Sequence, residues 1–380
     1  DTLDFTGASQ QVSVNPSSTS SQRVFGTGNT LTLRSKPETT IVQYGPDPVL
    51  NAPAGGGSLL LTFDAGCVQL LSGKNLLLSQ PLSSPLNSLE VIGADNKTDT
   101  LTVDVNALSA GGIASIPGGV AFTGGAGAKN SDTLVIKGTT GDNLFQSSSD
   151  GAAITVGDAT TEFTFAGVEQ VRFESLAGND TYAIAALNVP LTIIDKGGTD
   201  TLDFSGAAVG VSIDLRKSTG QKQMVFGEGA TLALRGTLEN VIGTAFADLI
   251  HGNSAKNLIR GGDGNDTIYG NGGSDLLLGG AGDDWLYGGS GKSVLIGGLG
   301  VDNVKAGSKG DILIGGETAF DDSPDDLVQI LAEWTAKGTP ASHVANLTQG
   351  LPPDQRINLR QGDGVIDDES ADVLYGGSGS

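Results

Sequence analysis

The residues of this chain with the clearest chemical potential recur every nine positions between residues 248 and 311. Most of them are aspartates, and the full set is Asp248, Asn257, Asp266, Asp275, Asp284, Ser293, Asp302 and Asp311. Ca²⁺ binds about six to eight oxygen ligands at flexible distances, and carboxylates beside backbone carbonyls supply such oxygens. The pattern therefore predicts calcium sites that are built from several repeat units.

Each of these positions lies between a glycine-rich turn and an aliphatic residue. Three of the turns are complete, at Gly261–Asp266, Gly279–Asp284 and Gly297–Asp302. Glycine allows the positive φ angles of a tight turn. The aliphatics follow two places later, at Ile250, Ile259, Ile268, Leu277, Leu286, Leu295, Val304 and Leu313. One inward aliphatic per unit makes a core only if units stack, so we expect two units per coil and residues 18 apart in one column.

The stacking separates the candidate ligands into two columns of unequal quality. The first column contains Asp248, Asp266, Asp284 and Asp302, and the second contains Asn257, Asp275, Ser293 and Asp311. We expect the better sites between successive aspartates of the first column. The second should be weaker, because Asn and Ser carry no charge and Lys292 adjoins Ser293. The predicted metal ligands are Asp248, Asp266, Asp284, Asp302, Asp275 and Asp311. The alternative is a solenoid with Asp-Gly turns and no metal.

This pattern resembles the glycine-rich nonapeptide of RTX proteins, Gly-Gly-x-Gly-x-Asp-x-aliphatic-x. The resemblance implies a parallel β-roll that binds Ca²⁺ over residues 239–316. A second resemblance concerns the motifs Ala332-Glu-Trp-Thr335, Ala345-Asn-Leu347 and the stretch 367–379. These are similar to the C-terminal module of very large exported RTX-type bacterial surface proteins, which implies an extracellular or cell-surface location.

The region upstream of the nonapeptides also alternates short strands with Gly- and Asp-containing turns, but its repeat units are longer. Residues 59–238 are short β-rich runs between Gly, Asp and Asn turns. An Asp-Thr-hydrophobic tripeptide enters these runs at Asp99, Asp132, Asp180 and Asp200. This predicts a parallel β-helix of longer coils, although short strands at close spacing also fit a sandwich. Isolated aspartates such as Asp142 and Asp180 are either further calcium ligands or plain turn residues.

Residues 1–45 repeat a later part of the chain, since the opening Asp1-Thr-Leu-Asp-Phe-Thr-Gly7 matches residues 200–206. Both ends look cut, and we expect a piece of a longer protein. Residues 46–58 read as a loop or linker, or as a long turn within one solenoid. The predicted domains are a truncated solenoid copy (1–45), the linker (46–58), a β-solenoid (59–238), a calcium β-roll (239–316) and a helical cap that returns to the roll (317–380).

No helical pattern precedes residue 323. Residues 323–338 combine Ser323 as a cap, Pro324 in the first turn and an apolar stripe that ends at Trp334. A second short helix is expected around 341–347. Such helices would cover the end of the roll, and the alternative is a partner-binding helix. The expected fold is all-β: a right-handed parallel β-helix and β-roll solenoid with a small C-terminal helical cap.

Composition argues against several classes of protein. The 380 residues carry a net charge of −22, which disfavours nucleic-acid binding. The single cysteine, Cys67, precludes an intramolecular disulfide, and no apolar run is long enough for a membrane helix. Gly makes up 59 residues, an excess that fits a solenoid with regular aliphatics.

Catalytic motifs are not evident. Neither His251 nor His343 belongs to the His-Glu-x-x-His motif of a zinc protease. The sequence contains neither a Gly-x-Ser-x-Gly nucleophile elbow nor a P-loop. We therefore expect a non-enzymatic, calcium-stabilised extracellular protein with a structural or adhesive role. Its expected partners are calcium and either head-to-tail copies of itself, as in a filament, or surface glycans. The alternatives are a secretion and folding module of a larger exported enzyme, or a polysaccharide-active β-helix.

Overall fold

The computed structural model describes residues 47–64, 66–81, 86–110, 116–127, 131–156 and 162–349, Leu359, most of 365–376, and the backbone of short strands before residue 42. Its helices are α1 (Val105–Ala110), α2 (Pro324–Thr335) and α3 (Pro340–Gln349). Its strands are β1 (Thr2–Asp4), β2 (Ser21–Val24), β3 (Asn29–Thr32), β4 (Thr39–Ile41), β5 (Val49–Asn51), β6 (Gly57–Asp64), β7 (Cys67–Ser72), β8 (Asn75–Pro81), β9 (Leu89–Ile92), β10 (Asp99–Asp104), β11 (Val120–Thr123), β12 (Thr133–Lys137), β13 (Leu144–Ser147), β14 (Ala153–Val156), β15 (Glu162–Ala166), β16 (Gln170–Glu174), β17 (Thr181–Ala183), β18 (Leu191–Ile194), β19 (Thr201–Asp203), β20 (Ser212–Asp214), β21 (Thr219–Gln223), β22 (Leu232–Arg235), β23 (Asn240–Ile242), β24 (Leu249–His251), β25 (Leu258–Asp263), β26 (Thr267–Tyr269), β27 (Leu276–Ala281), β28 (Trp285–Tyr287), β29 (Val294–Leu299), β30 (Asn303–Lys305), β31 (Ile312–Ile314), β32 (Glu317–Thr318), β33 (Val365–Ile366) and β34 (Val373–Tyr375).

The chain divides into two compact units. The first comprises Asp1–Asn143 and Ala152–Leu176, and the second comprises Leu144–Gly151 and Ala177–Ser380. Strands predominate in both, as expected for an all-β protein. Among the described residues, no helix has both the length and the apolar character to cross a membrane.

Stacked parallel strands build the first unit. Strands β6, β10, β12 and β16 pair in parallel, with aliphatic side chains in register. One buried column contains Leu59, Leu101, Leu134 and Val171. A second parallel set consists of β5, β9, β11 and β15. Antiparallel additions occur in the β6–β7–β8 meander and at β14–β15. The parallel ladders confirm the solenoid over the sandwich alternative.

Two local features of this unit differ from the sequence-based expectation. Residues 46–58 contain β5, which pairs in parallel with β9 and places Leu50 beside Val91. This stretch is therefore a coil of the solenoid, because its aliphatic residue is buried, and only its Pro/Gly-rich part forms a turn. A short helix, α1, also occurs well before residue 323. The carboxylate of Asp104 accepts the N–H of Ala107 at 3.0 Å and stabilises its first turn.

The second unit contains the nine-residue units, and their predicted stacking is confirmed. Strands β17, β19, β23, β25, β27, β29 and β31 pair in parallel, and so do β20, β24, β26, β28, β30 and β34. Ile250 lies on Ile268 and Ile259 lies on Leu277, each 18 residues along the chain, and all are fully buried. The ladder crosses residue 238 without a break, since Leu202 pairs with Val241.

The two sequence copies share their backbone pairing. Strand β1 pairs in parallel with β4, just as β19 pairs with β23. The hairpin β2–β3 is antiparallel, as is β21–β22. The remainder of residues 1–45 lies outside the described part of the chain.

The predicted helices α2 and α3 are present, but α2 covers a different surface from the one expected. Its apolar stripe packs on the outward side chains of β27, β29 and β31, which flank the inward Leu277 and Leu295. The shared cluster contains Leu276, Leu278, Val294, Ile296, Ile314, Phe320, Leu327, Ile330, Leu331, Trp334 and Leu347. Helix α2 therefore covers the flank of the last coils. The physical reason is that strands with three successive aliphatics have apolar side chains on both faces.

Candidate calcium centre

A ladder of aspartates connects successive coils of the roll. The N–H of Asp248 donates to Oδ1 of Asp266 at 2.8 Å. The N–H of Asp266 donates to Oδ1 of Asp284 at 2.7 Å, and that of Asp284 to Oδ1 of Asp302 at 2.8 Å. The side chains of Asp266, Asp284 and Asp302 are fully buried. The structure thus brings together the predicted first column, with one carboxylate oxygen of each residue fixed by the preceding coil.

The second carboxylate oxygen has no such partner. The Oδ2 atoms of Asp266, Asp284, Asp302 and Asp275 are buried and accept no hydrogen bond. Such orphaned buried oxygens are costly, and they indicate a missing ligand or a functional role. These oxygens are the leading candidates for metal coordination.

The orphaned oxygens face the glycine turns. A Cβ atom added to Gly261 would lie 2.0 Å from Oδ2 of Asp266 and 2.5 Å from the carbonyl oxygen of Gly279. At Gly279 the corresponding distances are 2.2 Å to Oδ2 of Asp284 and 2.4 Å to the carbonyl oxygen of Gly297. Carboxylate and carbonyl oxygens from successive coils therefore converge where only glycine leaves space. All of these donors are oxygens, which fits a hard cation such as Ca²⁺.

Burial makes the charged form of these carboxylates unfavourable in the protein alone. Burial, followed by the charges of neighbouring aspartates, raises the pKa of Asp266 to about 8 and that of Asp284 to about 7. Burial likewise raises the pKa of Asp275 to about 8 and that of Asp302 to about 6. A divalent cation in the column would stabilise the carboxylates and reduce the repulsion between aligned rungs.

Asp248 begins the first column and has a different environment. Thr244 replaces the turn glycine, and its N–H donates to Oδ2 of Asp248 at 2.6 Å. Oδ1 accepts the N–H of Val211 at 2.6 Å and the hydroxyl of Thr244 at 3.0 Å. Both oxygens of Asp248 therefore have protein donors, so this residue terminates the ladder of orphaned oxygens.

The second column keeps the ladder without a complete set of charges. The N–H of Asn257 donates to Oδ1 of Asp275 at 2.9 Å, and that of Asp275 to the hydroxyl oxygen of Ser293 at 3.0 Å. The backbone N–H of Ser293 donates to Oδ1 of Asp311 at 2.7 Å, and Oδ2 of Asp311 accepts the N–H of Gly307 at 2.5 Å. In this column, Asp275 is the residue with an orphaned carboxylate oxygen.

The sequence predicts that the charge of Lys292 weakens calcium binding in the second column, but its ammonium group lies at helix α2 instead. Its ammonium group lies 5.3 Å from the ring centroid of Trp334 and 3.3 Å from the Trp334 carbonyl oxygen. Lys292 therefore fastens α2 to the roll through a cation–π contact and a hydrogen bond.

Sequence reasoning missed Asp372. The N–H of Asp302 donates to its Oδ1 at 2.9 Å, and β34 pairs with β30 as the next rung. A Cβ atom on Gly315 would lie 2.1 Å from Oδ2 of Asp372. The signal was the Asp-x-aliphatic step of Asp372-Val-Leu374, but an interval of 70 residues from Asp302 hid the register.

Comparison with known proteins agrees with this geometry. The family model of the RTX calcium-binding nonapeptide repeat matches four overlapping segments, at residues 242–277, 260–295, 269–304 and 278–313. These segments contain the glycine turns and the aspartate ladder. Residues 242–313 are thus RTX calcium-binding nonapeptide repeats, and Ca²⁺ is the ion that such repeats bind.

The similar characterised proteins share only a part of the chain. A serralysin from Proteus mirabilis is 38% identical over 98 residues, which are 25% of this chain and 20% of that protein. The metallopeptidase AprA from Pseudomonas marginalis is 41% identical over 99 residues, or 26% of this chain and 21% of its own. Serralysin G from Dickeya chrysanthemi is 42% identical over 94 residues, or 23% and 19%. The chain spans about a fifth of the length of the curated relatives it matches.

Proposed function

We propose that this chain is a calcium-stabilised structural or adhesive segment of an exported protein, and that it sets into its final form outside the cell. The observation that carries the proposal is the row of buried Oδ2 oxygens on Asp266, Asp284 and Asp302 beside the glycine carbonyls. These three aspartates, with Asp275 in the second column, are the ligands we assign to Ca²⁺. Asp248 and Asp311 then belong to the ladder chiefly as hydrogen-bond acceptors.

Calcium acts in this proposal as a folding switch. A ligand that binds only the folded form stabilises it by about 2.7 kcal/mol per site at a hundredfold excess over the dissociation constant. Extracellular calcium modules have dissociation constants of about 10⁻⁴–10⁻³ M, so a site of this class is loaded outside the cell and empty in the cytoplasm. A few such sites would decide whether the roll is folded.

A structural role agrees with how the histidines are used. His251 stacks on Tyr269 with ring centroids 4.4 Å apart. Nδ1 of His343 lies 3.0 Å from Oε1 of Glu333, and its ring packs edge-on against Trp334. Both rings therefore make packing contacts.

The outer face of the roll supports an adhesive role toward glycans. His251, Tyr269 and Tyr287 stack in successive coils, with centroids 4.4 and 4.6 Å apart. The cleft beside them has a volume of about 240 Å³ and is lined by Trp285, Tyr287, Asn303, Lys305 and Tyr375. Exposed aromatic rings with a few hydrogen-bonding groups suit the apolar faces and hydroxyls of sugars.

Two alternatives belong beside this proposal. The serralysin matches support a secretion and folding module attached to an exported enzyme. The other is head-to-tail association into a filament, because end-to-end contacts between solenoids that do not close into a ring extend without limit. Electron microscopy with Ca²⁺ tests the filament, and short monomers alone would exclude it.

The test of the proposed function is a calcium titration of the whole chain, followed by circular dichroism and calorimetry. The wild type should gain β-structure and thermal stability with Ca²⁺ but not with Mg²⁺. The double variant Asp266→Asn/Asp284→Asn should lose most of this gain. If the circular dichroism spectrum is the same in calcium and in chelator, Ca²⁺ does not stabilise the fold and the proposal is wrong.

A further inference from the structure

We propose a second kind of calcium site in this chain, outside the nonapeptide repeats, formed by the carboxylates of Asp180, Asp195 and Asp200. One oxygen from each of the three side chains lies within 4.8 Å of the others. Asp180 precedes β17, Asp195 follows β18, and Asp200 precedes β19. The site therefore lies among three strands of the second unit and upstream of the matched repeats, which begin at residue 242.

Burial and an unpartnered oxygen distinguish this cluster from ordinary surface acids. Asp180 and Asp200 are 0% exposed, and Asp195 is 6% exposed. Oδ2 of Asp200 is buried and accepts no hydrogen bond. The carboxylate of Asp200 lies against that of Asp195, and its pKa is raised to about 7 by burial first and then by the neighbouring acids. Two carboxylates in such contact require either a shared proton or a cation between them.

The fold holds the three carboxylates in place without a ligand. The N–H of Asp180 donates to Oδ1 of Asp200 at 2.7 Å, and the N–H of Asp200 donates to Oε2 of Glu239 at 2.9 Å. The hydroxyl of Tyr182 donates to Oδ2 of Asp195 at 2.9 Å, and the N–H of Gly197 donates to Oδ1 at 2.8 Å. These two donors fix the orientation of the Asp195 carboxylate, so its oxygens are held beside those of Asp180 and Asp200 before any ligand binds.

A backbone oxygen adds a neutral donor. Gly198 has φ +152°, and a Cβ atom there would lie 1.7 Å from the carbonyl oxygen of Gly178 and 3.0 Å from Oδ1 of Asp200. Only glycine permits this approach, which brings the carbonyl of one coil beside the carboxylate of the next. Carboxylates and a carbonyl, with no nitrogen or sulfur ligand, form the donor set that Ca²⁺ prefers.

The third carboxylate separates this site from the nonapeptide turns. The ladder bond from Asp180 to Asp200 resembles that from Asp266 to Asp284. Asp195 follows the strand that precedes Asp200 in the chain. The glycine turn of a nonapeptide repeat is only six residues long, and it contains no residue equivalent to Asp195. A site with one more negative charge should bind Ca²⁺ more tightly than the nonapeptide rungs, so it should fill first as calcium rises.

The experiment is a count of bound Ca²⁺ on the whole chain by native mass spectrometry and equilibrium dialysis, with Tb³⁺ luminescence as a local probe. The variant Asp195→Asn should lose one equivalent, the one that binds at the lowest calcium concentration. The control Asp203→Asn removes a charge at the end of β19, where the carboxylate of Asp203 accepts the N–H of Ser205 at 2.9 Å, and it should keep the wild-type count.

Further variants separate this site from the repeats and from a folding defect. Asp284→Asn should remove a weaker equivalent and leave the first one, so failure of this proposal and failure of the proposed function give different patterns. Tyr182→Phe should keep the count but reduce Tb³⁺ emission excited through tyrosine, since Tyr182 contacts Asp195 directly. An Asp195→Asn chain that is folded by circular dichroism and binds as many ions as the wild type would overturn the proposal in favour of a shared proton.

Discussion

Asp266 and Asp284 are joined by a hydrogen bond of 2.7 Å from the N–H of the first to Oδ1 of the second, and each keeps Oδ2 buried and unbonded. One carboxylate thus has two separate tasks. Oδ1 holds the coils together in the protein alone, whereas Oδ2 is left for an ion. This division explains why the fold needs an acceptor at every rung but tolerates Asn257 and Ser293 in the second column.

Replacing Asp284 by Asn tests the two tasks separately. The amide oxygen of Asn can still accept the N–H of Asp266, but the variant loses the charge that binds Ca²⁺. We expect its stability with saturating calcium to fall by about 2.7 kcal/mol, the value of one site at a hundredfold excess. In chelator it should equal or exceed the wild type, because a buried charge is gone. Calorimetry in both conditions measures the difference.

The matched control is Asp283→Asn. Asp283 is the exposed neighbour, whose Oδ1 accepts the N–H of Val301 at 2.9 Å. Its replacement should change the calcium-dependent part of the stability much less. Equal losses for the two variants would contradict a specific role for Oδ2 of Asp284.

Replacing Gly279 by Ala should block the convergence of oxygens. The added methyl would lie 2.2 Å from Oδ2 of Asp284 and 2.4 Å from the Gly297 carbonyl oxygen, so the coil must shift. Overpacking of this kind costs about 1–3 kcal/mol, and calcium binding should fall as well. Gly55→Ala is the control, because a Cβ atom there has no neighbour within 4 Å. Thermal melts of both variants test this prediction. Equal melting temperatures for Gly279→Ala and Gly55→Ala would refute the requirement for glycine at position 279.

Helix α2 should stabilise the roll through its buried stripe. Leu331 is 0% exposed within the cluster on β27 and β29, so Leu331→Ala should reduce the free energy of unfolding by about 2–5 kcal/mol. Val328 is 40% exposed on the same helix, and Val328→Ala should cost well under 1 kcal/mol. Urea denaturation of the calcium-loaded chain gives both values. Similar losses would show that α2 does not contribute to the core.

His251 should make the roll sensitive to mild acid. Burial, assisted by the charge of Arg216, lowers its pKa from 6.5, while Asp214 opposes and Lys217 adds to the shift. The unfolded chain then binds a proton that the folded chain resists, so stability should fall as the pH drops from about 6.5 toward the folded pKa. The variant His251→Phe keeps the stacking on Tyr269 and should lose this component. Parallel slopes for the two proteins between pH 7 and 5 would refute it.

Much of the second unit followed from spacing. The nine-residue period predicted parallel coils with inward aliphatics 18 residues apart, and the register of Ile268 on Ile250 confirms it. The period also predicted which aspartates would align. The helices α2 and α3 were predicted from caps and apolar stripes, because such signals are local.

Other features depended on contacts between distant residues. Three successive aliphatic residues occur at 276–278, 294–296 and 312–314. The middle residue of each points into the roll, so the two beside it must be buried by another element, which is α2. The prolines and glycines of residues 46–58 predict a loop or linker, and they hide β5, which is only three residues long. The cluster of Asp180, Asp195 and Asp200 has no common spacing that a sequence pattern could detect.

The sequence by itself determined the periodic part of this protein: the stacking, the apolar columns and the aspartate ladder, because in parallel coils of constant length the register follows from the count of residues. Only the tertiary structure decided which carboxylate oxygens remain without donors. Thr244 satisfies Asp248, Gly307 satisfies Asp311, and Asp372 joins the first column after a long excursion of the chain. Each of these outcomes depends on which donor the fold brings within hydrogen-bond distance, and local spacing does not encode it.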